Sequence, residues 1–155
     1  MDKSKIPADQ ADAIGALMDD HRAVKKLFKA FKDTDDRDEK ESIALEVCRQ
    51  LTVHATIEEE IFYPALRGVG DDIDDILDEA QVEHQVAKDL IAAIEEDPAG
   101  DMLAANFTVL SEYVSHHIEE EEGELFKNAI KEKVNLRDVA EAMAARKEEL
   151  MQQTA

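Results

Sequence analysis

Two stretches of the sequence carry the same pair of residue types at the same spacing. In LTVHATIEEEIFYP, residues 51–64, His54 is followed four positions later by Glu58. In HHIEEEEGELF, residues 116–126, His117 is followed four positions later by Glu121. On a helix, residues at this spacing leave the same face one turn apart. Both faces are otherwise apolar: Val47, Leu51, Ile61, Phe62 and Ala65 flank the first pair, and Phe107, Leu110, Val114 and Leu125 the second. Burying an imidazole or a carboxylate without a partner costs a few kcal/mol, roughly, for each group. A metal ion removes that cost, because both side chains are nitrogen and oxygen donors suited to transition metals.

Two further histidines extend the pattern. Between Asp9 and Lys32 the apolar positions Ile14, Leu17, Val24, Phe28 and Phe31 fall at alternating steps of three and four, and His21 is the one polar member of the stripe. Between Asp71 and Glu96 the stripe is Ile73, Leu77, Ala80, Ala87, Ile91 and Ile94, with His84 as its polar member. The periodicity predicts helices over about 9–32, 39–67, 71–96 and 101–130. Polar or glycine-bearing turns separate them: DTDDRD at 33–38, Gly68 to Gly70, and Asp97 to Gly100. Long antiparallel neighbours joined by short loops make an up-down-up-down four-helix bundle, an all-α fold. An additional C-terminal helix is expected from the Asn135 cap and the thinner stripe Leu136, Val139, Met143 and Leu150. The expected organisation is a flexible lead-in over 1–8, the bundle over 9–130, and the C-terminal helix and tail over 131–155.

Each bundle helix thus brings one histidine to the interior, and two also bring a glutamate. At about 1.5 Å rise per residue, His54 lies about 18 Å and His84 about 20 Å from the loop joining their helices, so the groups can share one layer. Four imidazoles and two carboxylates exceed the needs of one tetrahedral zinc. They suit two metal ions bridged by carboxylates, with iron the leading choice and zinc or manganese the alternatives. The neighbouring Glu59, Glu60, Glu119, Glu120 and Glu122 read as a solvated acidic face, with Glu122 an alternative to Glu121. His116 lies off the stripe. Glu83 and Gln81 flank His84 and are candidates to support it, and Tyr113 lies one turn before His117.

Composition bounds the function. The chain has 155 residues and a formal charge of −20, which disfavours nucleic acid and anionic membrane surfaces as partners. There is no stretch of about 18 apolar residues and no secretory leader pattern, so a cytoplasmic location is expected. The single Cys48 lies beside the apolar stripe and reads as a packed thiol. No nucleotide-binding loop or nucleophile triad is present.

The segments DDHRAVKKLF around His21, HATIEEEIFYPAL from His54, VEHQVAKDLI around His84 and HHIEEEEGELF from His116 resemble the hemerythrin-like, or His-His-Glu cation-binding, family over about 20–129. The resemblance implies a di-iron site held by His21, His54, Glu58, His84, His117 and Glu121. It also shows a departure. The oxygen-carrying members have a second histidine one turn before that of the third helix, where this chain has Ala80, and they place the fourth-helix carboxylate five residues after its histidine, where this chain has Glu122. The vacancy shifts expectation from reversible oxygen carriage to a centre that binds, senses or reduces dioxygen, peroxide or nitric oxide. A metal or redox sensor acting on a protein partner through the C-terminal helix is the rival expectation, and a structural metal site the third.

Overall fold

The structure is a computed structural model describing residues 1–154, and the described residues form helices and turns without a strand. The first rod is α1 (Ala8–Asp33). The second comprises α2 (Arg37–Ile57), a π-helical turn (Glu58–Phe62) and the short α3 (Tyr63–Leu66). The third is α4 (Asp71–Glu96). The fourth comprises α5 (Leu103–Glu120), a second π-helical turn (Glu121–Leu125) and α6 (Phe126–Lys131). Neighbouring rods pack in a closed ring, α1 on α2, α2 on α4, α4 on α5 and α5 on α1. This is the expected up-down-up-down bundle.

Local chemistry sets the ends of the rods. Asp36 caps α2 by accepting the Glu39 N–H at 3.0 Å. Gly68 takes a φ of 86° after α3, a left-handed turn residue open to glycine at no side-chain cost. The lead-in departs from expectation: Lys3–Lys5 form a 3₁₀ turn capped by Asp2, and Ile6 is buried.

The fifth helix, α7 (Arg137–Gln153), packs against α1, α2 and the first π turn. Leu136, not Asn135, holds the N-cap position, and Asn135 one residue earlier still serves the helix start, its Oδ1 accepting the Arg137 N–H at 3.0 Å. Leu136, Met143 and Leu150 are buried with Ile14, Leu17, Val53 and Ile57. This helix therefore completes one end of the core.

The core is two apolar clusters, and the polar stripe residues lie between them. One cluster holds Val24, Phe28, Phe31, Val47, Leu51, Ile91, Phe107, Leu110 and Val114, with Phe31 and Phe107 stacked at 3.9 Å between centroids. The other holds Leu17, Met18, Phe62, Tyr63, Leu66, Leu77, Ala80, Leu125 and Phe126. Cys48 is fully buried in the first, and burial pushes its thiol up to about 12, consistent with a packed thiol.

The π turns correct part of the sequence reading. A continuous α-helix would keep Ile61 and Ala65 facing inward after Glu58. The extra residue in the turn, closed by the Tyr63 N–H on the Glu58 carbonyl, instead buries Phe62, Tyr63 and Leu66 and leaves Ile61 and Ala65 half-buried. The second π turn is closed in the same way by Phe126 on Glu121. Each π turn begins at the glutamate of its histidine–glutamate pair.

Candidate metal centre

The structure brings all six sequence-derived residues together. His21 comes from α1, His54 from α2, His84 from α4 and His117 from α5, while Glu58 and Glu121 open the two π turns. Glu58 is fully buried and Glu121 is 2% exposed. Glu58 Oε1 lies 3.3 Å from His54 Nε2 and 3.2 Å from His84 Nε2. Glu121 Oε1 lies 3.2 Å from His21 Nε2, and its Oε2 lies 3.1 Å from His117 Nε2. Each carboxylate thus faces the imidazoles of two different rods.

The outward nitrogens are held equally systematically. His54 Nδ1 lies 2.8 Å from Asp20, His84 Nδ1 2.9 Å from Glu59, His117 Nδ1 3.0 Å from Glu83, and His21 Nδ1 2.7 Å from Glu122. Each of these carboxylates is the sequence neighbour of an inward-facing residue: Asp20 of His21, Glu59 of Glu58, Glu83 of His84, Glu122 of Glu121. Each reaches the histidine of the next rod, so the four contacts form a closed ring around the bundle. An ionised carboxylate only accepts hydrogen bonds, so each Nδ1 carries the hydrogen and each Nε2 faces the centre. This carboxylate–histidine arrangement is the one that orients imidazoles for metal ions.

Three of the outer carboxylates were not assigned this role from sequence. Glu59 and Glu122 read as part of a solvated acidic face and Asp20 was not singled out, whereas Glu83 was expected beside the His84 face. Glu83 in fact serves His117. Gln81 is exposed and makes no contact here, and His116 points outward to Glu120 at 2.9 Å. Between Glu121 and Glu122, it is Glu121 that faces the interior.

Tyr63 was also missed, because an uninterrupted α-helix would carry it away from the Glu58 face. The π turn swings it inward. Its hydroxyl donates to Glu121 Oε2 at 2.5 Å and lies 3.4 Å from both His84 Nε2 and His117 Nε2. It belongs to the same apolar cluster as Ala80 and brings a polar atom to the layer on the side of that alanine. Tyr113, by contrast, lines the cavity described below.

The donor set passes a direct test for a metal. His21 Nε2, His54 Nε2, both Glu58 oxygens and Glu121 Oε1 are buried without a hydrogen bond of acceptable geometry. Such orphaned atoms are costly in an apolar interior and are satisfied by a cation at their centre. Two groups of donors converge within 4.8 Å: His21, His54, Glu58 and Glu121, and Glu58, His84 and His117. Glu58 belongs to both.

Without a metal, the same geometry favours protonated imidazoles. Burial pulls His54 down, but the adjacent Glu58 carboxylate and the hydrogen bond to Asp20 outweigh it and raise it to about 10. His84 is raised to about 9 and His117 to about 11, again because adjacent glutamates overcome burial. His21 is raised by Glu121 and Glu122 against its own burial. In return, the His84 hydrogen bond lowers Glu59 to about 2 despite its partial burial.

On the opposite side of the layer from Tyr63, the histidines border a cavity of about 50 Å³. Its walls include Val24, Leu51, Ala87, Ile91, Val114 and Ile118.

An all-helical bundle with a buried histidine–glutamate layer defines a metal-binding helical domain. The Hemerythrin HHE cation binding domain model matches residues 12–129, and the chain belongs to that family. A crystal structure of a hemerythrin HHE cation-binding domain-containing protein from Mycobacterium kansasii is similar in fold, with a TM-score of 0.71 over 88% of this chain and 85% of that one at 22% identity. No curated protein sequence gives a significant match. Among the described residues no helix is long and apolar enough to cross a membrane.

Proposed function

We propose that the layer holds two iron ions, with zinc or manganese as alternatives, and that the centre binds or reduces a small oxidant in the adjoining cavity. His21, His54, His84 and His117 through Nε2 would hold the ions, with Glu58 and Glu121 as the carboxylates they would share. One observation carries this reading: four imidazoles, each fixed by an outer carboxylate, aim at two buried carboxylates, three of whose four oxygens are otherwise orphaned. Six nitrogen and oxygen donors exceed one tetrahedral site and suit a pair of iron-like ions, which when bound supply electrons and open coordination positions to a small ligand.

The protein's own residues restrict what that ligand can be. The cavity of about 50 Å³ exceeds the roughly 10–15 Å³ that one water needs on the same measure, so it has room for dioxygen, peroxide or nitric oxide. Away from the layer its walls are mostly aliphatic. Leu51 lines it directly, Phe107 packs further along the same cluster, and Phe62 and Leu125 close the opposite side of the layer. Tyr63 supplies a hydroxyl to the layer, holding Glu121 in place where Ala80 offers no donor.

The test is exposure of anaerobically iron(II)-loaded protein to dioxygen, hydrogen peroxide and nitric oxide in turn, followed by absorption spectroscopy. A rapid spectral change with at least one of them is expected. A loaded protein inert to all three would overturn the small-oxidant reading while leaving metal binding intact.

A further inference from the structure

Asp20 is held by a residue outside the four bundle rods. Its Oδ2 receives the His54 Nδ1–H at 2.8 Å, and its Oδ1 receives Lys147 Nζ at 2.7 Å. Lys147 lies on α7. The position of α7 is itself fixed close to the centre: Met143 and Leu150 are buried in the core, and the Arg146 guanidinium grips Glu60, inside the first π turn, at 3.0 and 3.2 Å. At its far end, Arg49 of α2 donates to the Met151 carbonyl at 3.4 Å and to Thr154 at 3.1 Å. The fifth helix therefore meets the second rod at Glu60 and, through Asp20, at His54. Glu59 has a comparable cation, Lys88 at 2.6 Å, but that lysine comes from α4 within the bundle.

A half-exposed lysine–carboxylate pair adds little stability of its own. Its effect here is geometric. Asp20 has two oxygens and two donors, and the pair of contacts fixes the plane of the carboxylate that in turn fixes the His54 ring. We infer that Lys147 is a positioning residue for the metal centre, acting through Asp20 on His54, so that docking of the fifth helix and occupancy of the metal site are linked. This rests on the metal reading above. By reciprocity, a metal that holds His54 also holds Asp20, and through Lys147 the register of α7.

The experiment uses cobalt(II) as probe on the full chain, with affinity measured by competition against a chromophoric chelator and helix mobility by amide hydrogen exchange. Carboxylates that support metal-bound histidines are worth roughly 10- to 100-fold in affinity. Asp20→Asn is expected in that range, and Lys147→Met, one step further out, at about 3- to 10-fold for one of the two equivalents. Lys147→Arg is expected to restore binding, because it keeps the charge. Arg49→Met, which removes contacts at the far end of α7 and leaves the Lys147–Asp20 pair in place, is expected to lose less affinity than Lys147→Met. Cobalt is expected to slow amide exchange across 143–150 in the parent chain and not in Lys147→Met. Unchanged affinity in Lys147→Met, or exchange in α7 that ignores cobalt, overturns the inference alone. A parent chain that takes up no cobalt overturns the metal reading and this inference together.

Discussion

The two apolar halves on either side of the histidine–glutamate layer are built differently. The half containing Phe28, Phe31 and Phe107 is made of uninterrupted α-helix and borders the layer with aliphatic side chains and a small cavity. The half containing Phe62 and Phe126 includes both π turns, the Tyr63 hydroxyl and the fifth helix. Both irregular turns lie on one side. The difference teaches a division of labour: one half leaves room beside the layer, and the other fixes the carboxylates and their surroundings. Both π turns start at the glutamates, which is where a change of helical register alters what faces the centre.

Glu58→Ala tests the boundary between the halves and should have the largest effect. Glu58 faces imidazoles of two rods and belongs to both donor groups. Its loss should take metal content below one ion per chain, as measured by elemental analysis. Retention of two ions would remove Glu58 from the bridging role.

The pH dependence of the metal-free chain comes next. His54, His84 and His117 are raised to about 10, 9 and 11, above their ordinary value near 6.5. Raised groups contribute stability fully below about pH 6.5 and lose it as pH climbs through their folded values. The metal-free protein should therefore lose thermal stability progressively from about pH 6.5 up to about pH 11. On the acid side, Glu59, lowered to about 2, contributes stability above its ordinary value of 4.5 and loses it as pH falls toward 2. Metal uptake at neutral pH must displace these protons, so loading an unbuffered sample should acidify it. A flat melting profile across the alkaline limb would contradict the imidazole pairing.

Ala87→Leu sharpens the contrast from the cavity side. The added side chain fills the space bordering the layer, at an overpacking cost of about 1–3 kcal/mol. Metal content should hold while nitric oxide binding to the iron(II)-loaded protein weakens by at least about tenfold, or about 1.4 kcal/mol. Tyr63→Phe probes the other half and should leave the metal content unchanged. Deleting a hydrogen bond to a charged carboxylate costs about 1.5–3 kcal/mol in the metal-free chain, read from urea melts. A neutral result would mean that Glu121 is held by the histidines alone.

The fold was legible because the stripes of Ile14 to Phe31, Ala44 to Glu58, Ile73 to Ile94 and Leu103 to Glu121 alternate three and four without interruption. The six inward residues were legible because they are the polar members of those stripes. What escaped depends on contacts that single-helix periodicity does not encode. Tyr63 turns inward only because the π turn adds a residue, and the sequence reading kept Ile61 and Ala65 on the inner face instead. Asp20, Glu59 and Glu122 act across helix boundaries, each on a histidine of the next rod. A signal was present: on each rod an acidic residue stands immediately beside an inward-facing one. Its meaning depended on how neighbouring rods pack.

The central claim is that the buried layer is a two-metal site of iron-like chemistry. The most direct test is elemental analysis combined with an absorption spectrum of the protein produced in iron-supplied medium. Two iron ions per chain with near-ultraviolet charge-transfer absorption are the expected result. A colourless protein carrying zinc alone, or no metal, would contradict the account.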